Sequence, residues 1–183
     1  MMALVLTGVL AADPLTNVEE HAQVGLGVHA ALALASGMAP GANVGVTTGM
    51  RVRVARVSWG FEAAFFLPGQ EEVRVPSTYG CWPRCVERIS SMAITATVPV
   101  CFHVAWFSAC GVATGGAAGG RDTAWQPIVS AGGRVAIDPH FADTVAAYLA
   151  LQVLGGIVRA DFEPWRAAPL QVGLTLGGMY ELL

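Results

Sequence analysis

From residue 24 to residue 34 the even positions read Val24, Leu26, Val28, Ala30, Leu32 and Leu34. The odd positions from 25 to 35 read Gly25, Gly27, His29, Ala31, Ala33 and Ala35. The same division runs from 91 to 104. There Met92, Ile94, Ala96, Val98, Val100, Phe102 and Val104 alternate with Ser91, Ala93, Thr95, Thr97, Pro99, Cys101 and His103. Near the end, Leu170, Val172, Leu174 and Leu176 alternate with Gln171, Gly173, Thr175 and Gly177. Side chains change faces at every residue of a strand, against every 3.6 residues per turn of a helix. The pattern therefore predicts strands with one bulky aliphatic face and one small or polar face.

Carried along the chain, this rule yields eight segments: 22–35, 44–55, 57–67, 90–103, 106–115, 126–138, 141–159 and 169–181. Segments 2–3, 4–5 and 6–7 are joined by a few residues around Arg56, Ala105 and Pro139-His140. The other connections are longer stretches, Ser36–Asn43, Pro68–Ile89, Gly116–Trp125 and Ala160–Ala168. Short turns at one end and long loops at the other match an antiparallel up-and-down transmembrane β-barrel of the outer membrane, with both termini on the periplasmic side.

Composition separates this reading from its competitors. Apolar residues make up 54% of the 183, charged residues 13%, and the mean hydropathy is +0.55. An ordinary soluble domain is about 25% charged. Ala22 to Met50 and Ile89 to Gly120 lack Asp, Glu, Lys and Arg and are long enough for membrane helices, which need about 20 residues. Both are dense in Gly and Thr, Pro99 interrupts the second, and their period is two, so strands are favoured. A soluble, lipocalin-like barrel binding an apolar ligand is the alternative. It requires the bulky face inside and a charged face outside. Here the small face has too little charge for a typical solvated exterior, and Arg51, Arg53, Glu62 and Arg134 fall on it. Charges on the bulky face, Arg56, Asp143 and Arg159, occur near segment ends. That is where a lipid-facing charge costs little. Trp59, Trp106, Phe141 and Tyr180 are expected in a periplasmic aromatic girdle, and Phe65, Trp125, Phe162 and Trp165 in an extracellular one. With a formal charge of −3 and no basic run, nucleic acid is not an expected partner. Outer-membrane lipid, lipopolysaccharide and, during biogenesis, the barrel-assembly machinery are.

Residues 1–20 read as a residual signal or periplasmic lead-in and 21–183 as the barrel domain. Leu4 to Leu10 is a short apolar stretch, and Val9-Leu10-Ala11 resembles a signal cleavage pattern, without a positive n-region. Cys81, Cys85, Cys101 and Cys110 match no standard zinc spacing, so no metal or cofactor is expected. In an oxidising compartment their even number points to two structural disulfides. A hairpin centred between Ala105 and Trp106 sets Cys101 opposite Cys110, while Cys81 and Cys85 would pin the longest loop around Trp-Pro-Arg.

Three pieces occur in a suggestive order. They are Gly37-Met38-Ala39-Pro40-Gly41-Ala42-Asn43-Val44-Gly45, then Pro99-Val100-Cys101-Phe102-His103 with Cys110-Gly111, and finally Trp165-Arg166-Ala167-Ala168-Pro169. In these the chain, from about His21 to Tyr180, resembles the small, largely uncharacterised outer-membrane β-barrel proteins of myxobacteria and related bacteria. The resemblance implies an eight-stranded barrel in the bacterial outer membrane and brings no catalytic residues.

An eight-stranded barrel is just wide enough for side chains to fill. A turn at Arg56-Val57 would set Arg51 across from Glu62, with Arg53 nearer the turn and Arg134 reaching in from the far wall. His29, Tyr148 and Gln152 also point inward by parity. The expected cluster is a luminal plug of Arg51, Arg53, Arg134 and Glu62. Three arginines against one carboxylate leave a narrow anion-conducting path as the alternative. None of His21, His29, His103 and His140 has an obvious nucleophile and orienting group, so no enzymatic activity is expected. The polar stretch Pro68 to Arg88, with Trp82 and Arg84, is the expected place for contact with a partner, since loops carry function on rigid scaffolds.

Overall fold

The computed structural model describes residues 24–75, 85–120, 124–162 and 165–182. Eight long strands carry the fold: β1 (Val24–Ser36), β2 (Ala42–Val54), β3 (Val57–Val75), β4 (Cys85–Val104), β5 (Phe107–Gly119), β6 (Gln126–Ile137), β8 (Val145–Val158) and β11 (Leu170–Glu181). Three short ones, β7 (His140–Ala142), β9 (Asp161–Phe162) and β10 (Trp165–Arg166), lie in the connections. Every long strand pairs antiparallel with its neighbours, and β11 pairs with both β1 and β8, so the sheet closes on itself. Closure satisfies every strand edge within the barrel wall, which a sheet in hydrocarbon requires.

The two faces lie as the period-two pattern predicts. Leu32, Val46, Ile94, Val100 and Leu176 point outward, with Leu32 63% exposed, whereas Ala33, Thr47, Thr95, Thr97 and Cys101 are buried on the luminal side. A soluble barrel would require the reverse arrangement. No helix among the described residues is long and apolar enough to cross a membrane.

The luminal face is rich in small residues, and bulky inward side chains sit directly opposite its glycines. Phe66 pairs with Gly45, Glu62 with Gly49, Leu154 with Gly132 and Gln152 with Gly173. A Cβ at Gly45 would strike the Phe66 ring, and one at Gly49 would strike His29 and Glu62. Large beside small is how side chains of limited total volume reach close packing.

Several expectations need correction. The connection read as Pro68–Ile89 is mostly strand, since β3 runs to Val75 and β4 begins at Cys85. Its charged residues conceal the strand, and of these Glu71, Glu72 and Arg88 are exposed. Segment 141–159 begins at Val145 instead, and His140–Ala142 folds back on it as β7. Phe162 and Trp165 are not in a girdle. They stack at 5.9 Å, Phe162 is buried, and both belong to an apolar cluster with Met38, Ala39, Phe66, Ile128 and Ala167. Backbone bonds from Ala167 to Ala160 and from Ala168 to Gly37 fold the last loop inward against the first. Gly37 has a positive φ of 91°, and a Cβ there would meet the Leu170 carbonyl. Together the two loops cap the extracellular end of the lumen. The remaining girdle residues Trp59, Trp106, Phe141, Tyr180, Phe65 and Trp125 are exposed.

Candidate functional site: the luminal polar cluster

The β2–β3 turn is made by Ala55 and Arg56, with Ala55 in the left-handed region at φ 51°. The register therefore sets Arg51 opposite Gly60 and Glu62 opposite Gly49. The expected Arg51–Glu62 pairing does not form. The turn sits one residue earlier than expected, which slides the register by two. Both residues keep their luminal face, but each finds another partner.

Glu62 meets Arg134 across the lumen. Arg134 Nη1 donates to Glu62 Oε1 at 2.6 Å and Nη2 to Oε2 at 2.7 Å. Nη1 also donates to the Tyr148 hydroxyl at 3.1 Å, and Nη2 and Nε to Gln152 Oε1 at 2.9 and 3.3 Å. These bonds occupy all of the guanidinium's donors, which is what a buried arginine needs. His29 lies 3.7 Å from Glu62 and packs against the Tyr148 ring at 5.2 Å. The pair divides the middle of the lumen, with a cavity of about 20 Å³ on the periplasmic side and another of about 20 Å³ on the extracellular side.

Arg51 belongs to a second cluster at the periplasmic end. Its Nη1 donates to Asp138 at 2.9 Å and its Nη2 lies 3.7 Å from Glu181, which His140 approaches at 3.3 Å. Arg53 turns toward the rim and donates to the Ala55 carbonyl at 3.0 Å. Arg51 and Arg134 are thus matched by Asp138, Glu181 and Glu62, correcting the expected surplus of positive charge. Neither Asp138 nor Glu181 is among the residues expected in the lumen, although both end their segments on the small face by parity, two residues beyond Ala136 and Met179.

Ser58 and His103 form another missed pair, 2.7 Å apart and both fully buried. Among the described residues His103 Nδ1 has no hydrogen-bond partner. With Ser58 inaccessible, the contact acts as a buried hydrogen bond within the wall.

Cys101 and Cys110 are directly opposed in the β4–β5 hairpin, in the register that a turn at Ala105 and Trp106 sets, and form a disulfide facing the lumen. Cys81, Trp82 and Arg84 lie outside the described residues, as do residues 1–20. The Cys85 side chain is likewise outside the description.

A closed eight-stranded antiparallel barrel with an apolar exterior, exposed aromatics toward both ends and charge confined to its lumen and rims has the architecture of the bacterial outer membrane. No protein-family model and no curated protein sequence matches the chain. Among solved structures it is similar to the outer membrane protein OprG from Pseudomonas aeruginosa. The TM-score is 0.60 at 9% identity, over 88% of this chain and 97% of that one. Neisserial surface protein A gives a TM-score of 0.49 at 10% identity, over 86% of this chain and 95% of that one. Ail, the attachment invasion locus protein of Yersinia pestis, gives 0.45 at 12% identity, over 88% of this chain and 99% of that one. The likeness to OprG shows a shared fold.

Proposed function

We propose that the protein is a non-conducting outer-membrane barrel whose lumen is a structural plug and whose contacts with its surroundings are made by extracellular loops. The observation that carries the first half is the bidentate Arg134–Glu62 pair. The cavities beside it hold about 20 Å³ each, room for roughly one water apiece. Matched charges remove the reason for anion selectivity, and the apolar cap closes the other end. The reading assigns no chemical step to the barrel.

The second half rests on the β3–β4 arm. Beyond Phe66, β3 has no ladder partner in β2, and before Met92, β4 has none in β5, so the backbones of these segments ladder only with each other, while the Gly69 N–H donates to Asn43 and the Gly41 N–H to Glu71. The stretch from Gly69 to Val75 alone spans about 20 Å at roughly 3.3 Å per residue. The described part of the arm is held partly by the Glu72–Arg88 ion pair at 2.9 Å. Trp82 and Arg84, which lie between its two strands in sequence, are the candidate contact residues. In this reading lipopolysaccharide surrounds the arm, and the barrel-assembly machinery takes β11, with Tyr180, as its insertion signal. Kinship with the myxobacterial barrels belongs to the same reading and rests on the order of the three sequence pieces.

Conductance tests the plug. Purified barrel reconstituted in a planar bilayer is expected to give flat single-channel traces. Discrete, reproducible current steps would contradict it.

A further inference from the structure

The lipid-facing exterior is furrowed. Ala147, Gly178, Ala30, Thr48, Ala63 and Ala96 are cross-strand partners in succession across β8, β11, β1, β2, β3 and β4, and all lie on the outer face. Two residues toward the extracellular end, the neighbouring row carries Leu176, Leu32, Val46, Phe65 and Ile94. Two residues toward the periplasm, it carries Val28, Met50 and Phe61. Small side chains between two bulky rows leave an open channel in the wall. Between β11 and β4 lies a cavity of about 710 Å³, lined by Ala30, Thr48 and Ala63 on one side and by the row from Leu176 to Ile94 on the other. The Thr48 hydroxyl donates to the His29 carbonyl at 3.1 Å, so its hydrogen-bonding need is met within the wall. At about 4.8 Å per strand the furrow runs about 24 Å over six strands.

A second copy of the barrel does not fit this furrow. Strands tilt by about 35–45° from the barrel axis, so a row perpendicular to them is oblique to the membrane plane. Two identical oblique furrows brought face to face about a vertical two-fold axis cross instead of interlocking. A hydrocarbon chain meets no such obstacle, and the furrow is continuous with the lipid-facing surface. Charge selects the leaflet. Arg56, exposed in the β2–β3 turn below Thr48 and Ala63, has no carboxylate partner among the described residues. At the other end of the same wall Arg88 is already engaged by Glu72. From Ala63 to Arg56 is about 23 Å along the strand, or about 16–19 Å vertically once tilted, close to the roughly 15 Å half-thickness of the hydrocarbon core.

We propose that this furrow seats the methyl end of one acyl chain of an anionic phospholipid from the periplasmic leaflet, with its phosphate held by Arg56. The inference rests on the lipid-facing exterior and is independent of whether the lumen is plugged.

The test is electron paramagnetic resonance on the folded barrel in phosphatidylcholine vesicles carrying mid-chain nitroxide-labelled phosphatidylglycerol or phosphatidylcholine. A motionally restricted component is expected, favouring phosphatidylglycerol about fivefold, as one interfacial arginine supplies. Ala30→Leu and Ala63→Leu, each filling the floor with a lipid-compatible side chain, are expected to diminish it. Ala131→Leu, on the far wall, is expected to leave it unchanged. Arg56→Gln is expected to abolish the headgroup preference while the restricted component persists. Boiling-dependent gel mobility verifies that each variant is folded. Folded Ala30→Leu and Ala63→Leu barrels with an undiminished component would overturn the proposal. So would equal retention of the two headgroups by the wild type, or a change of oligomeric state in the filled variants. A barrel that restricts neither lipid in any variant would overturn the lipid-facing reading itself.

Discussion

Arg134→Ala is expected to destabilise the barrel by about 3–5 kcal/mol, because it leaves the Glu62 carboxylate buried with its main partner gone. Glu62 is 7% exposed and its two oxygens take the two arms of one guanidinium, so water has little access to replace what is lost. The size of this effect measures the orphaned charge, not the net contribution of the pair. Replacing both members by methionine removes both desolvation costs together and is expected to come close to wild-type stability. Reversible urea unfolding in detergent micelles, followed by tryptophan fluorescence, gives the comparison. A loss below about 1 kcal/mol for Arg134→Ala would mean that the middle of the lumen is wet and the plug loose.

Leu32→Arg is expected to cost about 2–4 kcal/mol, since the guanidinium would enter the bilayer near its midplane. Leu32 is 63% exposed and lies in the middle of β1. Val24→Arg, at the periplasmic end of the same strand and face, is expected to cost about 0–1 kcal/mol. Burial from water alone would rank the two sites alike, since Val24 is 57% exposed. Only a surrounding hydrocarbon layer makes the cost depend on depth. Equal small effects at both positions, measured by the same unfolding assay in phospholipid vesicles, would place the exterior in water.

The strands and their faces were legible in the sequence because period two is a local property. A two-residue slip, such as the one at the β2–β3 turn, preserves it. That same slip is invisible to parity, so the faces of Arg51 and Glu62 were readable while their partners were not. The register of β4 on β5 was readable because Ala105-Trp106 lies midway between Cys101 and Cys110. Glu62 and Arg134 come together across the lumen from strands that share no ladder, so nothing local in the sequence records their meeting. The extracellular cap escaped notice for a related reason. Phe162 and Trp165 have the composition of girdle residues, and only the backbone bonds of residues 160–168 turn them inward. The β3–β4 arm was taken for a loop because charged residues such as Glu71, Glu72 and Arg88 interrupt the apolar alternation there.

Central to everything above is a closed β-barrel whose outside faces lipid. Far-UV circular dichroism of protein refolded with and without detergent micelles, paired with gel mobility before and after boiling, tests it most directly. A β spectrum and a boiling-dependent mobility shift that both require micelles are the expected result. A helical spectrum would contradict the strands, and a β spectrum formed equally well in plain buffer would contradict the lipid-facing exterior.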